Sequence, residues 1–340
     1  MATIHDVAKK AGVAPITVSR VINNSGYVSD KMRKKVNQAI AELEYVPNVL
    51  ARSLKSKRTN TIALVFTDIT NPFFTMIARG VEDTASEAGF NVIFCNTDES
   101  SDKENKYTQL LLQKQVDGII LVPAGSNTQS INIIQRQKTP LVILDRRVSC
   151  KNVDVIRSDS EGGAYQLTKF LIEIGHKRIC ILSGRKDVST AEDRLKGYKR
   201  AMRDHGLADF IQCSYGRFTQ ESGSQQTKNI FSEKENCPTA VFAANNLIAI
   251  GTLITLGDLG FSVPDDVAMV SFDDIPENLV AEPFFTVVRQ APYKLGQKAT
   301  QVLINRIKES RNEKTTKDFQ EIVFPVEFIE RASSGKNIDF

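Results

Sequence analysis

The sequence predicts an N-terminal all-α helix-turn-helix headpiece followed by an α/β core of two doubly wound parallel-sheet lobes. Three observations carry this. The first sixty of 340 residues hold 11 lysines and arginines against 4 acids, whereas the whole chain has 44 against 40. The other 280 residues therefore carry 33 against 36, and the positive excess sits at one end. Within the basic block, short apolar stripes at helical spacing flank a tight turn. From Ile62 onward, short apolar runs alternate with amphipathic helices, the pattern of parallel sheets covered by helices on both faces.

In the headpiece, Thr3 caps a first helix with Asp6 three positions on; Val7, Ala8 and Ala11 form its apolar stripe and Gly12 ends it. A second helix opens on Pro15, whose ring presets a first helical turn. Val18, Val21 and Ile22 face inward, leaving Thr17, Ser19 and Arg20 pointing out, where they would meet DNA. A third starts from Ser29 and carries Val36, Ile40 and Leu43. Its Lys31, Arg33, Lys34 and Lys35 suit phosphate contacts and a solvated helix face equally. Residues 1–46 form this unit. Residues 47–60 hold the segment Asn48 to Leu54, too small to bury a core, then a basic run from Lys55 to Asn60: a hinge and linker that becomes helical only when bound.

In the core, strands are expected at 62–66, 92–94, 119–122, 141–144, 179–182, 240–243 and 267–272. Helices are expected near 73–88, 103–115, 161–174, 191–205, 221–232, 245–259 and 292–309. The series breaks around 153–160 and restarts with its own helix. Residues 61–340 therefore read as two similar lobes with a cleft between them, the N-lobe about 61–160 and 290–320, the C-lobe about 161–289 and 321–340.

A composition of 41% hydrophobic and 25% charged residues is that of an ordinary globular protein. Five cysteines without a Cys-x-x-Cys pair read as reduced residues of a cytoplasmic protein. No charged-then-apolar leader precedes Thr3, and no apolar run approaches the roughly 18–20 residues of a membrane span, so neither secretion nor membrane insertion is expected. An enzyme on a doubly wound fold would need machinery that is missing. No Gly-x-Gly-x-x-Gly follows a strand, no phosphate-loop motif occurs, and His5, His176 and His205 sit apart; no cofactor or metal is expected.

Open parallel sheets bind ligands outside the carboxyl ends of their strands. Four strand ends here carry polar groups: Asp68 and Asn71 after the first, Asp145-Arg146, Asn245-Asn246, and Asp273-Asp274. Thr190 and Arg194 at a helix start and Gln290 after Val287-Val288 could join them, with Phe73, Phe74 and Phe218 as flat walls. Carboxylates accepting from hydroxyls, a forked guanidinium donor and rings over C–H faces suit a small polyhydroxylated molecule. Taken singly, Asn71-Pro72 also fits a turn, Asp145 and Asp273 fit caps, and Phe73 and Phe74 fit the core. For Arg146, Arg147 and Asn246 a solvated rim role stands beside ligand contact. Their coincidence at strand ends favours a site.

These residues resemble the LacI/GalR family of bacterial transcription repressors over about residues 2–332. The headpiece matches the family's Thr-Ile-x-Asp-Val-Ala…Thr-Val-Ser-Arg-Val-Ile-Asn signature, and Asn48 to Leu54 is similar to its hinge helix. The core resembles the periplasmic sugar-binding fold. Asp68-Ile-Thr-Asn-Pro-Phe-Phe, Thr190-Ala-Glu-Asp-Arg and Phe272-Asp-Asp-Ile-Pro are similar to the ribose-repressor branch. The resemblance implies a homodimer on a palindromic double-stranded operator, controlled by a pentose held by groups matching Asn71, Phe73, Phe74, Asp145, Arg146, Arg194, Asn245, Asp273 and Gln290. It implies DNA contacts from Thr3, Pro15, Ile16, Thr17, Ser19, Arg20, Asn23 and Ser29, with Arg20 as the hydrogen-bonding base reader. From the hinge it adds Asn48, Ala51, Arg52, Leu54 and Lys55, Leu54 wedging the minor groove. Two departures stand out: Ala14 replaces the usual serine cap, and Asn246 replaces an aspartate. The rival within the family is a catabolite-control type of regulator driven by a phosphoprotein partner.

Overall fold

A computed structural model of the chain describes residues 2–46, 59–232, 237–275, 282–312 and 318–335. It divides into two units, Met1–Thr59 and Asn60–Phe340. The hinge candidates Asn48, Ala51, Arg52, Leu54 and Lys55 lie outside the described residues.

The first unit holds α1 (Ile4–Ala11), α2 (Pro15–Ile22) and α3 (Asp30–Glu42). Asp6 N–H donates to Thr3 Oγ1 (3.3 Å) while Thr3 N–H donates to Asp6 Oδ2 (2.8 Å), a reciprocal capping box. Gly12 closes α1 at φ 66°, a left-handed turn that only glycine adopts without cost. Ala14 gives α2 no side-chain cap, whereas Ser29 Oγ accepts from Met32 N–H for α3. One fully buried valine from each helix, Val7, Val18 and Val36, makes the centre of this small core.

The second unit holds two six-stranded sheets. The N-lobe sheet contains β1 (Thr61–Phe66), β2 (Asn91–Asn96), β3 (Gly118–Leu121), β4 (Leu141–Leu144), β5 (Asp154–Ser158) and β11 (Glu321–Phe324), in the order β11-β5-β4-β3-β1-β2, all parallel. The C-lobe sheet contains β6 (Ile179–Ser183), β7 (Gln212–Tyr215), β8 (Ala240–Ala243), β9 (Ala268–Phe272), β10 (Thr286–Arg289) and β12 (Glu327–Ile329), in the order β12-β10-β9-β8-β6-β7. It is parallel except for β12, which pairs antiparallel with β10. The covering helices are α4 (Pro72–Glu87), α5 (Ser101–Gln113), α6 (Gln129–Arg136), α7 (Ser160–Glu173), α8 (Ser189–Asp204), α9 (Gln220–Phe231), α10 (Asn246–Asp258) and α11 (Pro292–Arg311).

Two expectations change. The break at 153–160 contains a strand, β5, disguised by Asp154 and Arg157; Asp154 is buried because Arg306 on α11 holds it with two bonds (2.7 and 2.9 Å). Residues 321–324, expected in the C-lobe, belong to the N-lobe, because β11 pairs with β5 in the register Ile322↔Ile156. The last of the three lobe crossovers therefore falls between Phe324 and Glu327, after those that follow β5 and β10. Helix α11 packs on α4 at close range: a Cβ on Gly80 would sit 2.2 Å from the Tyr293 carbonyl oxygen. Among the described residues no helix is long and apolar enough to cross a membrane.

Candidate functional site

The carboxyl ends of both sheets open on one cavity of about 290 Å³. Asp68, Asn71, Phe73, Phe74, Asp145, Arg146, Thr190, Arg194, Phe218, Asn245 and Asp273 all line it. Gln290 stands one layer behind, donating from Nε2 to Asp273 Oδ1 (2.6 Å). Sequence reasoning missed Thr67, Thr70, Asp98, Glu99, Arg217 and Thr219. Asp98 and Glu99 follow β2, so the strand-end rule that found the others also covers them.

Each lobe contributes an aspartate at a strand end, Asp145 after β4 and Asp273 after β9. Both adopt φ 67°, a left-handed turn in which their backbone N–H reaches the neighbouring strand, at Ile156 (2.8 Å) and Val288 (2.9 Å). Each aspartate faces a buried arginine across a gap too wide for a hydrogen bond: 3.9 Å from Asp145 Oδ2 to Arg146 Nε, and 3.8 Å from Asp273 Oδ2 to Arg194 Nη2. Both guanidiniums are anchored at their other ends. Arg146 donates from Nη1 to the Pro123 carbonyl (2.8 Å) and from Nη2 to Glu99 (2.7 Å). Arg194 donates from Nη1 to the Ala244 carbonyl (2.5 Å) and lies 3.8 Å over the Phe272 ring. Their Nε atoms are buried without a hydrogen-bond partner.

Burial pushes the Asp145 carboxyl up to about 6, against the pull of Arg146 and Arg194. Burial raises Asp273 as well, while Arg194 and the Gln290 amide oppose the rise. Burial lowers Arg194, an effect that the two aspartates counter.

Capping and lining coexist in the two asparagines. Asn71 Oδ1 caps α4 by accepting from Phe73 N–H (3.0 Å), and Asn245 Oδ1 caps α10 by accepting from Ile248 N–H (2.9 Å). Arg146 and Asn246 are buried, not rim groups; Asn246 Nδ2 crosses the cleft to Asn71 Oδ1 (3.3 Å). Phe73 and Phe74 likewise serve both wall and core, their rings 5.1 Å apart.

Residues 59–332 match the model for periplasmic binding proteins and the sugar binding domain of the LacI family, and residues 3–48 match that for bacterial regulatory proteins of the lacI family. A ribose operon repressor of Halalkalibacterium halodurans is 39% identical, covering 91% of each chain. A PurR transcriptional repressor of Photobacterium profundum is 35% identical, covering 92% of this chain and 94% of its own. The lac repressor dimer bound to operator and the anti-inducer ONPF superposes with a TM-score of 0.83 at 26% identity, covering 98% and 99%.

The chain belongs to the LacI family. It is a DNA-binding transcriptional regulator with that family's sugar-binding domain, and not an enzyme. In this LacI-family headpiece, Ile16 and Arg20 are exposed on α2, with Pro15, Thr17 and Ser19 half-buried beside them. Thr3, Asn23 and Ser29 sit at helix ends; Asn23 Nδ2 turns back onto the Ser19 carbonyl (2.8 Å). Arg33 is tied to Asn24 (2.9 Å), while Lys31, Lys34 and Lys35 stay exposed.

Proposed function

We propose that the protein is a repressor that binds a palindromic operator as a homodimer and is released by D-ribose or a related pentose in the interlobe cleft. The observation that carries the ligand reading is the pair of matched gaps, 3.9 and 3.8 Å, between a buried aspartate and a buried arginine, one in each lobe. A ligand hydroxyl placed in such a gap accepts from the guanidinium and donates to the carboxylate, with about 2.8 Å on each side. Two such gaps in one cavity, one from each lobe, suit a compact molecule with several hydroxyls. The lining carries five carboxylates (Asp68, Asp98, Glu99, Asp145, Asp273) against three guanidiniums (Arg146, Arg194, Arg217), which favours a neutral polyol over a phosphorylated one. Asn71, Asn245 and Thr190 supply further polar contacts, Phe73, Phe74 and Phe218 the apolar faces, and Gln290 orients Asp273.

On DNA, Arg20 reads a base edge in the major groove with Thr17 on the same groove-facing side, Pro15 and Ile16 open the recognition helix and help choose the operator sequence through apolar contact, and Ser19, Asn23, Thr3 and Ser29 add further DNA contacts. Asn48, Ala51, Arg52, Leu54 and Lys55 belong to the hinge, with Leu54 as minor-groove wedge. One headpiece makes few contacts, so two on a palindrome are needed for useful affinity.

The PurR-named relatives favour a second reading, a purine effector in the same cavity. A thermal-shift panel of ribose, other pentoses, hexoses, ribose 5-phosphate, hypoxanthine and guanine separates the two, since a ligand at 100 times its Kd adds about 2.7 kcal/mol. Stabilisation by a pentose and loss of the gel-shift complex on its addition are expected. A response to a purine base alone overturns the pentose reading, and a response only to a phosphoprotein favours the catabolite-control type.

A further inference from the structure

Next to each pocket arginine stands a residue that leaves the pocket and crosses the cleft. Arg147 follows Arg146 in the N-lobe, and Asp193 precedes Arg194 in the C-lobe. The Arg147 guanidinium grips the Asp193 carboxylate with both a Nε bond (3.1 Å, to Oδ2) and a Nη2 bond to Oδ1, and Glu192 lies 3.8 Å from Nη2. The Arg147 backbone N–H donates to Ser189 Oγ (2.7 Å). Ser189 and Asp193 are four residues apart, one above the other on α8, so Arg147 lies along one face of that helix's first turns. Thr190 and Arg194, also four apart, form the adjacent face and line the cavity. The same turns of α8 are therefore clasped to the N-lobe on one side and offered to the ligand on the other.

We infer that Arg147 and Asp193 are positioning residues for the sugar site: their ion pair holds α8 at the spacing at which Arg194 and Arg146 reach one ligand together. This rests on the sugar reading of the cleft. The fork geometry makes Lys a poor substitute for Arg147. Asp193 is buried and Arg147 about a third exposed, so truncation falls between the small effect of an exposed pair and the large effect of a buried one, about ten-fold in affinity.

The test is calorimetry of the full chain with D-ribose in the wild type, Arg147→Ala, Asp193→Ala, the double variant and Arg147→Lys, each at low and high salt. Each alanine variant should bind ribose about ten-fold more weakly, the double variant no more weakly than either single one, and Arg147→Lys in between. Ribose is uncharged, so salt acts on its affinity through the protein's own ion pairs. Wild-type affinity should weaken with salt, and the double variant should lose most of that dependence. Alanine variants that bind within two-fold of wild type, with its salt dependence, overturn the positioning role while leaving the sugar site intact. A wild type that gives no heat with ribose overturns the sugar reading itself, and this inference with it.

Discussion

The N-lobe takes its pocket carboxylate and guanidinium from adjacent residues, Asp145 and Arg146, whereas the C-lobe joins Asp273 from a strand end to Arg194 from a helix 79 positions earlier. The supports differ too. Asp273 accepts from the Gln290 amide, and Arg194 is stacked on Phe272 with Phe218 beyond it at 5.8 Å. Arg146 is paired with Glu99, whereas among the described residues the ion-pair contact of the Asp145 carboxylate is Arg146 Nε at 3.9 Å. Burial makes both carboxylates costly to ionise: it pushes Asp145 up to about 6 and raises Asp273 as well, against the Gln290 hydrogen bond. The C-lobe pair is the better supported of the two, and on the proposed reading a ligand hydroxyl would supply the hydrogen bond to the N-lobe acid.

The largest expected effect comes from breaking the better supported side. Arg194→Ala leaves Asp273 buried opposite an empty space, and loss of one partner of a buried pair costs about 3–5 kcal/mol. Sugar affinity measured by calorimetry should fall by more than about 100-fold. Affinity like that of wild type would place the ligand elsewhere.

Next is the titration of Asp145. Its folded pKa lies above the ordinary 3.8, so the folded state holds a proton that the unfolded chain gives up. The corresponding stability is fully present below about 4 and is lost as pH rises through about 6, amounting to about 3 kcal/mol. Urea unfolding of the ligand-free protein at pH 4.5 and 7.5 should show this loss, and Asp145→Asn, which tolerates the left-handed turn, should reduce it. An equal pH slope in the variant would mean that Asp145 does not carry this loss and that Asp273, also raised by burial, does.

Smaller effects sharpen the contrast. Gln290→Ala removes a hydrogen bond to a charged group, worth about 1.5 kcal/mol, and should weaken ribose binding about ten-fold by calorimetry. Glu99→Gln keeps the shape beside Arg146, whose other anchor at the Pro123 carbonyl remains, so only about a three-fold loss is expected. If the second exceeds the first, the N-lobe is the better supported side.

The headpiece was legible because its signals are local: the Thr3-Asp6 box, Gly12, Pro15 and Ser29 each act within a turn of their own position. The central strands were legible as continuous apolar runs, and the site as the polar residues that follow them. Strands whose side chains are satisfied from a distance were hidden. β5 reads as polar until Arg306 is seen to cover Asp154, and β7 lies at a sheet edge with exposed Gln212 and Tyr215. Helix α6, only eight residues long, did not stand out either. Nor does sequence order reveal that β11 returns to β5. Gln290 illustrates the remaining limit: its position after β10 was readable, but its role behind Asp273 depends on a contact between two strand ends.

The most direct test of the two-sided site is calorimetry of the wild-type chain with D-ribose at pH 5 and pH 7.5. One ribose per chain, bound more tightly at pH 7.5 and with proton release near pH 6 that disappears in Asp145→Asn, is the predicted result. No heat with ribose or any other pentose, or binding that is indifferent to both pH and Asp145→Asn, would contradict it.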